Sequence, residues 1–395
     1  MITKRQHGWL LIALGLGGDL ALLILGRLGG GAWSGVGPLE RAMLLAGIGV
    51  AISGIPLLRA KAGPAAAESE PDYRVSNRDT TGSSEGPPRL RWLMWVLRGL
   101  VLIVFLSYLA VYVTYAIDLF KWPYDYDQGE SFELYDAVLH SQGRWPYQDS
   151  STFPFYASNY PPLFHLLNIL LFPVFGQTLL SGRVLSFIIT LLTAGLIGYA
   201  VWRRTGGWFN PTISGLGYLA SNFVYHVGPL CRQHLLRVFL ELAGVTLIAG
   251  AGSLTGSRKH HNRHVFLGLL CLLLAGYAKQ LAVFTAAAVF GYLFLRHPMR
   301  AVGLVIAFGA AFGGIFLMIN WATDGYWWIN TISANVNAYL SAQLIGLTRT
   351  WLRIHLVYVV LALAMVMYET YVTRLSVYSL WFVTAIGTGA MSGKW

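Results

Sequence analysis

Charge is what this sequence has least of. Only 11% of its 395 residues are Asp, Glu, Lys or Arg, where a soluble globular domain carries about 25%. So little polar surface excludes an ordinary soluble domain, and the composition fits neither a disordered chain nor a collagen-like fibre. Cysteine is nearly absent. Cys231 and Cys271 are the only two, and Cys271 lies inside an apolar run, so neither a structural disulfide nor redox chemistry is expected. No internal repeat is found, and the apolar runs lack the alternation of a transmembrane barrel. What the chain does have is 55% hydrophobic residues. They predict an all-α polytopic membrane protein.

A membrane span needs about 20 apolar residues. Eleven runs qualify: 8–26, 42–58, 95–117, 183–202, 211–227, 235–253, 265–279, 281–296, 301–319, 351–368 and 375–391. The pair 265–279 and 281–296 could instead form one bent helix. The first run follows Lys4, Arg5 and His7 without a clear small-residue cleavage site, and reads as a signal anchor. Residues 1–58 read as a two-helix hairpin. Residues 59–92, rich in Gly, Pro and Ser, read as a disordered cytoplasmic linker, and 93–395 as the main transmembrane domain.

The stretch PPLFHLLNILLFPVFG at 161–176 is short and proline-broken. If it does not span, then Arg203–Arg204, the cluster SRKHHNRH at 257–264, Arg296, Arg300, Arg374 and the six Lys or Arg of the linker all share the side of the N-terminus. The positive-inside rule selects that arrangement, so 161–176 is expected to lie flat on the outer surface. Outer loops then cover 118–182 and 320–350. The formal net charge of +11 belongs to cytoplasmic loops rather than to a nucleic-acid partner.

The acids are concentrated. Seven of the 17 Asp and Glu residues lie between 118 and 160: Asp118, Asp125, Asp127, Glu130, Glu133, Asp136 and Asp149. Topology does not select acids for outer loops, so the cluster asks for another cause. Residues 130–142 predict a short amphipathic helix with Leu134, Ala137 and Val138 on one side and Gly143 as its stop. Asp127 and Glu130 sit at its start. One of these carboxylates could serve as a general base toward an acceptor hydroxyl, or the two could hold a divalent cation. A solvated loop with acids favoured by the helix dipole is the plain alternative. No other cofactor is indicated.

The run Asp127-Gln128-Gly129-Glu130, a short helix, GRWPYQD at 143–149, YPPL at 160–163, FG at 175–176, then Arg183 and Ser186 resembles the GT-C superfamily of membrane glycosyltransferases. The pattern is nearest to transferases that use polyprenyl-phosphate sugars, such as protein O-mannosyltransferases and aminoarabinose transferases. The resemblance covers roughly 95–320. It implies an inverting transfer from a polyprenyl-phosphate donor to a lipid, glycan or protein acceptor at the outer face of the cytoplasmic membrane. It assigns the catalytic base to Asp127 and a less uniform position to Glu130. The family often carries a second acid near 229–237, where this chain reads GPLCRQHLLRV, which is basic. Related proteins usually continue beyond a span like 375–391, so the chain reads as a fragment or a short variant.

A lipid-linked phosphate requires cations at the outer interface. Lys279, between two apolar runs, is one candidate, and a snorkelling lysine is its alternative. Arg232, His234 and Arg237 open an out-to-in span and are similar candidates. Arg183 is either a phosphate ligand or an interface anchor. Tyr160, Asn335 and Asn337 are candidate sugar contacts, whereas Trp327 and Trp328 fit an interfacial aromatic belt. Arg237 and Glu241 have the spacing of a helical ion pair. Two other functions remain open: a transporter or flippase of a lipid-linked saccharide, and an inactive scaffold of a polysaccharide assembly complex.

Overall fold

The computed structural model describes residues 88–252, 258–335 and 339–391. The expected N-terminal hairpin, nearly all of the linker and Asn337 lie outside the described residues. Among the described residues 80% are helical and none forms a strand. Five helices are long and apolar enough to cross a membrane: Trp92–Lys121, Leu179–Thr205, His234–Ala251, Pro298–Ala322 and Ser341–Tyr371. Gln280–Arg296 and Val377–Gly387 are apolar but shorter.

The described residues divide into two compact units, those of 88–282 with 312–333, and those of 283–311 with 334–391. The first contains α1 (Pro88–Lys121), α2 (Glu130–Ser141), α3 (Leu163–Ile169), α4 (Phe172–Phe175), α5 (Leu179–Thr205), α6 (Phe209–Leu219), α7 (Asn222–Val227), α8 (His234–Gly252) and α9 (Arg258–Ala278). The second contains α10 (Val283–Arg296), α13 (Ser341–Tyr371) and α14 (Val377–Met391). Helix α11 (Pro298–Ala322) runs from one into the other, and α12 (Tyr326–Thr331) belongs to the first.

One expected span is not continuous. Residues 211–227 break at Ala220–Ser221, where Ser221 turns to an extended conformation (ψ 129°). Ser and Asn compete with the helix for backbone hydrogen bonds, and Asn222 restarts it. The longer piece, α6, has 11 residues, about 16 Å at 1.5 Å per residue, half the hydrocarbon thickness. The pair 265–279 and 281–296 does not merge either. Helix α9 stops at Ala278, and a 3-10 turn at Gln280–Ala282 precedes α10.

Four helices of the first unit bring one end to a common point. At that point the carbonyl of Leu119, near the end of α1, accepts a hydrogen bond from Arg183 at the start of α5 (2.7 Å). His234, opening α8, meets Lys279 just after α9 (3.2 Å). Because Leu119 and Arg183 touch, the chain between them leaves and returns at the same end of the bundle. It crosses nothing, and α3 and α4, with 7 and 4 residues, are far too short to do so. The opposite end of α5 carries Arg203 and Arg204.

In the second unit α10 packs on α14. Trp381 Nε1 donates to Thr285 Oγ1 (2.8 Å). Glu369, buried near the end of α13, accepts from Ser376 N and Ser379 Oγ (2.7 and 2.6 Å) and so ties α13 to the start of α14.

Candidate functional site

Helix α2 is amphipathic, with its acids turned inward. Its buried side carries Glu130, Glu133, Asp136, Ala137 and Leu139. Its outer side offers Ser131, Phe132, Leu134, Tyr135 and Val138, which with Tyr156 line an open depression of about 430 Å³. Ala137 is buried, whereas Leu134, packed at the edge of a buried cluster, and Val138 are half-buried. Gly143 ends the segment as expected, with φ +71°, a left-handed conformation that glycine adopts without strain. The inward face is acidic because cations from distant segments reach it.

Arg183 is the first of these. Both it and Glu130 are 0% exposed. Nε donates to Glu130 Oε1 (2.9 Å) and Nη2 to Oε2 (2.7 Å). Nη1 donates to the carbonyls of Leu119 and Trp122 (2.7 and 2.5 Å), and Nη2 also to that of Tyr124 (2.8 Å). A guanidinium has five N–H donors, and all are used. Glu130 is equally saturated. Beyond Arg183, Oε1 accepts from Cys231 N (2.8 Å) and Oε2 from Tyr126 N (2.9 Å), filling the four acceptor positions of a carboxylate. Burial alone would raise the Glu130 carboxyl, but Arg183 and the two backbone N–H groups outweigh it and hold the group below its usual range. Two expectations are corrected here. Arg183 has no donor left for a phosphate, and Glu130 has no lone pair left for catalysis or for sharing a cation with Asp127. Together they lock α1, α2, α5 and the segment at 231.

The second pair is different. Arg232 grips one oxygen of Asp127, with Nε at 2.8 Å and Nη2 at 2.5 Å. The side chains are 15% and 40% exposed. The guanidinium lies against Gly129, where a Cβ would come within 1.9 Å of Nη1. From here a polar chain runs inward. Arg232 Nη1 is 4.0 Å from Glu133 Oε1. Glu133 Oε2 accepts from His165 Nε2 (2.8 Å), which lies 3.6 Å from Asp136 Oδ2. Asp136 accepts from Tyr156 (2.5 Å) and, more closely, from Ser158. Burial pushes the Asp136 carboxyl up to about 6. Burial would lower His165, but the hydrogen bond to Glu133 and the charge of Asp136 more than compensate and raise it. His140, half-buried beside His165, is pulled down to about 4, chiefly by desolvation.

Lys279 and His234 stand next to this chain. Lys279 Nζ lies 5.1 Å from the centre of the Tyr160 ring, a cation–π distance, and donates to His234 Nδ1. Tyr160 is fixed through its carbonyl by Tyr147 Oη (2.9 Å). The expected Arg237–Glu241 pair forms at 3.7 Å. Trp327 is not a belt residue. It is 2% exposed and packs edge-on against Tyr147, with ring centroids 4.7 Å apart. Trp328 is half exposed. Asn335 ends a 3-10 turn at Ser333–Asn335 and belongs to the other compact unit. Both cysteines are free. Among the described residues no group of three or more His, Cys, Asp or Glu has the arrangement of a metal site.

Of the expected residues, the fold gathers Asp127, Glu130, Arg183, Arg232, His234, Lys279 and Tyr160 at one end of the bundle. Sequence reasoning missed Glu133, Asp136, His165 and Tyr156 as members. The spacing of Glu130, Glu133 and Asp136, with His140 following, would have shown one acidic stripe on a helix. Compared with known proteins, the chain matches no family model, no curated protein and no solved structure.

Proposed function

We propose that the protein is an inverting glycosyltransferase that moves a sugar from a polyprenyl-phosphate carrier to a lipid, glycan or protein hydroxyl at the outer face of the cytoplasmic membrane. Asp127 takes the proton of the acceptor hydroxyl. The acceptor oxygen attacks the anomeric carbon, and the bond to the phosphate breaks with its electrons leaving on the phosphate. Arg232, Lys279 and His234 meet that charge, and Tyr160 borders the sugar.

One observation carries this reading: Asp127 is the carboxylate of the Asp127–Asp136 set that keeps substantial exposure, and it faces the guanidinium of Arg232 rather than more acid. A base must reach its substrate, and a leaving phosphate needs positive charge already in place. Sidedness supports it too. The acids stand at the start of α5 and Arg203–Arg204 at its far end, about 40 Å away for 27 residues, in keeping with the positive-inside rule. The reading retains eleven spans, with 118–182 and 320–350 outside.

A screen of radiolabelled polyprenyl-phosphate sugars with purified protein and candidate acceptors tests it. Labelled product from one donor class is expected. Uptake into proteoliposomes without product would point to a transporter instead. Failure to bind any such donor would point to a scaffold.

A further inference from the structure

Two side chains at this end of the bundle are buried and unfilled. Gln233, between Arg232 and His234, is 0% exposed, and neither its amide nitrogen nor its amide oxygen has a hydrogen-bond partner. Glu133 is 1% exposed. His165 fills its Oε2, but its Oε1 has no partner and stands 4.0 Å from Arg232 Nη1. Both side chains act on one hydroxyl. Burial chiefly, then the charge of Glu133, hold the Tyr160 hydroxyl above its ordinary value, while Arg232 and the amide of Gln233 pull it down. Buried polar groups are nearly always paired. One donor and two acceptors left open around a single tyrosine mark a place for a polar ligand.

The open valences select its chemistry. A carboxylate oxygen only accepts, so Glu133 Oε1 turns away a phosphate or a sugar acid and asks for a donor. An ammonium is a donor too, but it would enter beside Arg232, 4.0 Å from that oxygen, and Lys279, which lies over the Tyr160 ring. Like charges at such distances repel. Neighbouring hydroxyls of a neutral sugar fit. One donates to Glu133 Oε1, and the next accepts from Gln233 Nε2 or donates to its Oε1.

We propose that Glu133 and Gln233 form a sugar subsite that reads hydroxyl groups of the donor and selects neutral sugars over amino sugars and sugar acids. The proposal rests on the glycosyltransferase reading and names its substrate class. The sugar is the donor's, because the subsite adjoins Arg232 and Lys279, which meet the donor's phosphate. A site built to hydrogen-bond a hydroxyl rejects a ligand that leaves its buried polar groups unpaired.

Donor binding without any acceptor tests it. Purified full-length protein is titrated with polyprenyl phosphates carrying glucose, mannose, arabinose, aminoarabinose, glucuronic acid or no sugar. At least one neutral sugar should tighten binding about tenfold or more over the sugar-free carrier, the worth of a hydrogen bond to a charged group. Aminoarabinose and glucuronic acid should give no such gain. Glu133→Gln should lose most of the gain, and Gln233→Leu about threefold of it, the worth of a neutral hydrogen bond. Neither variant should change binding of the sugar-free carrier. Gln233→Leu should melt no lower than wild type, since an amide without partners adds no stability. A folded Gln233→Leu that keeps the full gain overturns the subsite, as does wild type that binds aminoarabinose or glucuronic acid as tightly as its best neutral sugar. If both variants melt before assay, the wild-type panel decides alone. Sugar transfer is measured in parallel. Transfer by Gln233→Leu with an undiminished sugar gain removes the subsite and keeps the reaction. A gain that Gln233→Leu reduces, with no transfer from any donor, keeps the subsite and removes the reaction.

Discussion

Two arginine–carboxylate pairs lie side by side at the start of α2 and behave as opposites. Arg183 and Glu130 are wholly buried, and every donor and acceptor they own is engaged, largely with main chain. Arg232 and Asp127 share the same chemistry with one oxygen gripped, partial exposure and an unsatisfied neighbour in Glu133. Saturation makes the first pair a structural joint. Incompleteness gives the second the freedom a working site needs. The lesson concerns how charge in a membrane protein is read. An ionisable residue at a span end marks function by default, but its count of unfilled hydrogen bonds decides whether that default holds.

Substitutions can break this contrast. The largest effect is expected for Arg183→Met, which leaves Glu130 buried without its partner and should cost about 3–5 kcal/mol. A thermal melt in detergent reads this as loss of folded protein. Adding Glu130→Leu to the same chain should restore part of the stability, since a buried pair replaced by apolar groups is often tolerated. A normal melt for Arg183→Met alone would erase the distinction between the pairs. Next comes Arg232→Gln. Its partner is partly exposed, so the fold should lose no more than about 1 kcal/mol. Binding of a polyprenyl-phosphate donor should weaken by about tenfold, a charged hydrogen bond being worth about 1.5–3 kcal/mol. Titration of donor against both proteins checks this.

The inner end of the polar chain sharpens the comparison through pH. His165 is held above its ordinary value of 6.5, so the stability it contributes is complete below pH 6.5 and is lost as pH climbs through the raised value. Asp136, raised from 3.8 to about 6, acts in the same sense between those values. His140, lowered from 6.5 to about 4, acts against it over much of that range. Above pH 6.5 His165 is therefore the group of the three that still titrates. The part of the stability carried by His165 should fall there with a slope of no more than about 1.4 kcal/mol per pH unit, against the opposite slope of Lys279, which burial lowers from 10.5 to about 7, and His165→Gln should remove the falling part. A melt series from pH 6.5 to 9 measures both. The smallest effect is expected for Trp328→Ala, within about 0.5 kcal/mol as for other exposed positions, whereas buried Trp327→Ala should cost about 3–5 kcal/mol.

The sequence made some of this readable and not the rest, for identifiable reasons. Long helices follow from apolar length alone, so five of the expected runs recur as helices long enough to span. The Arg237–Glu241 pair was legible because both partners sit on one helix, four residues apart. Asp127 stood out because the loop's acid content exceeded anything topology asks for. The Arg183–Glu130 joint was hidden because its partners are 53 residues apart, and each looked like a site residue when read alone. The inward turn of the acids on α2 was hidden for a related reason. Periodicity fixes which residues share a face, but which face turns inward depends on partners such as His165 and Arg232, supplied by other segments. The break at Ala220–Ser221 within 211–227 was not legible, since mean apolarity does not register a single cap residue.

The most direct measurement compares Asp127→Asn with wild type for sugar transfer from the donor that the screen identifies, alongside a thermal melt of each. Loss of about 10²–10⁴-fold in transfer, the usual contribution of a positioned base, with an unchanged melt is the predicted result. Full transfer by a folded Asp127→Asn protein would contradict the account.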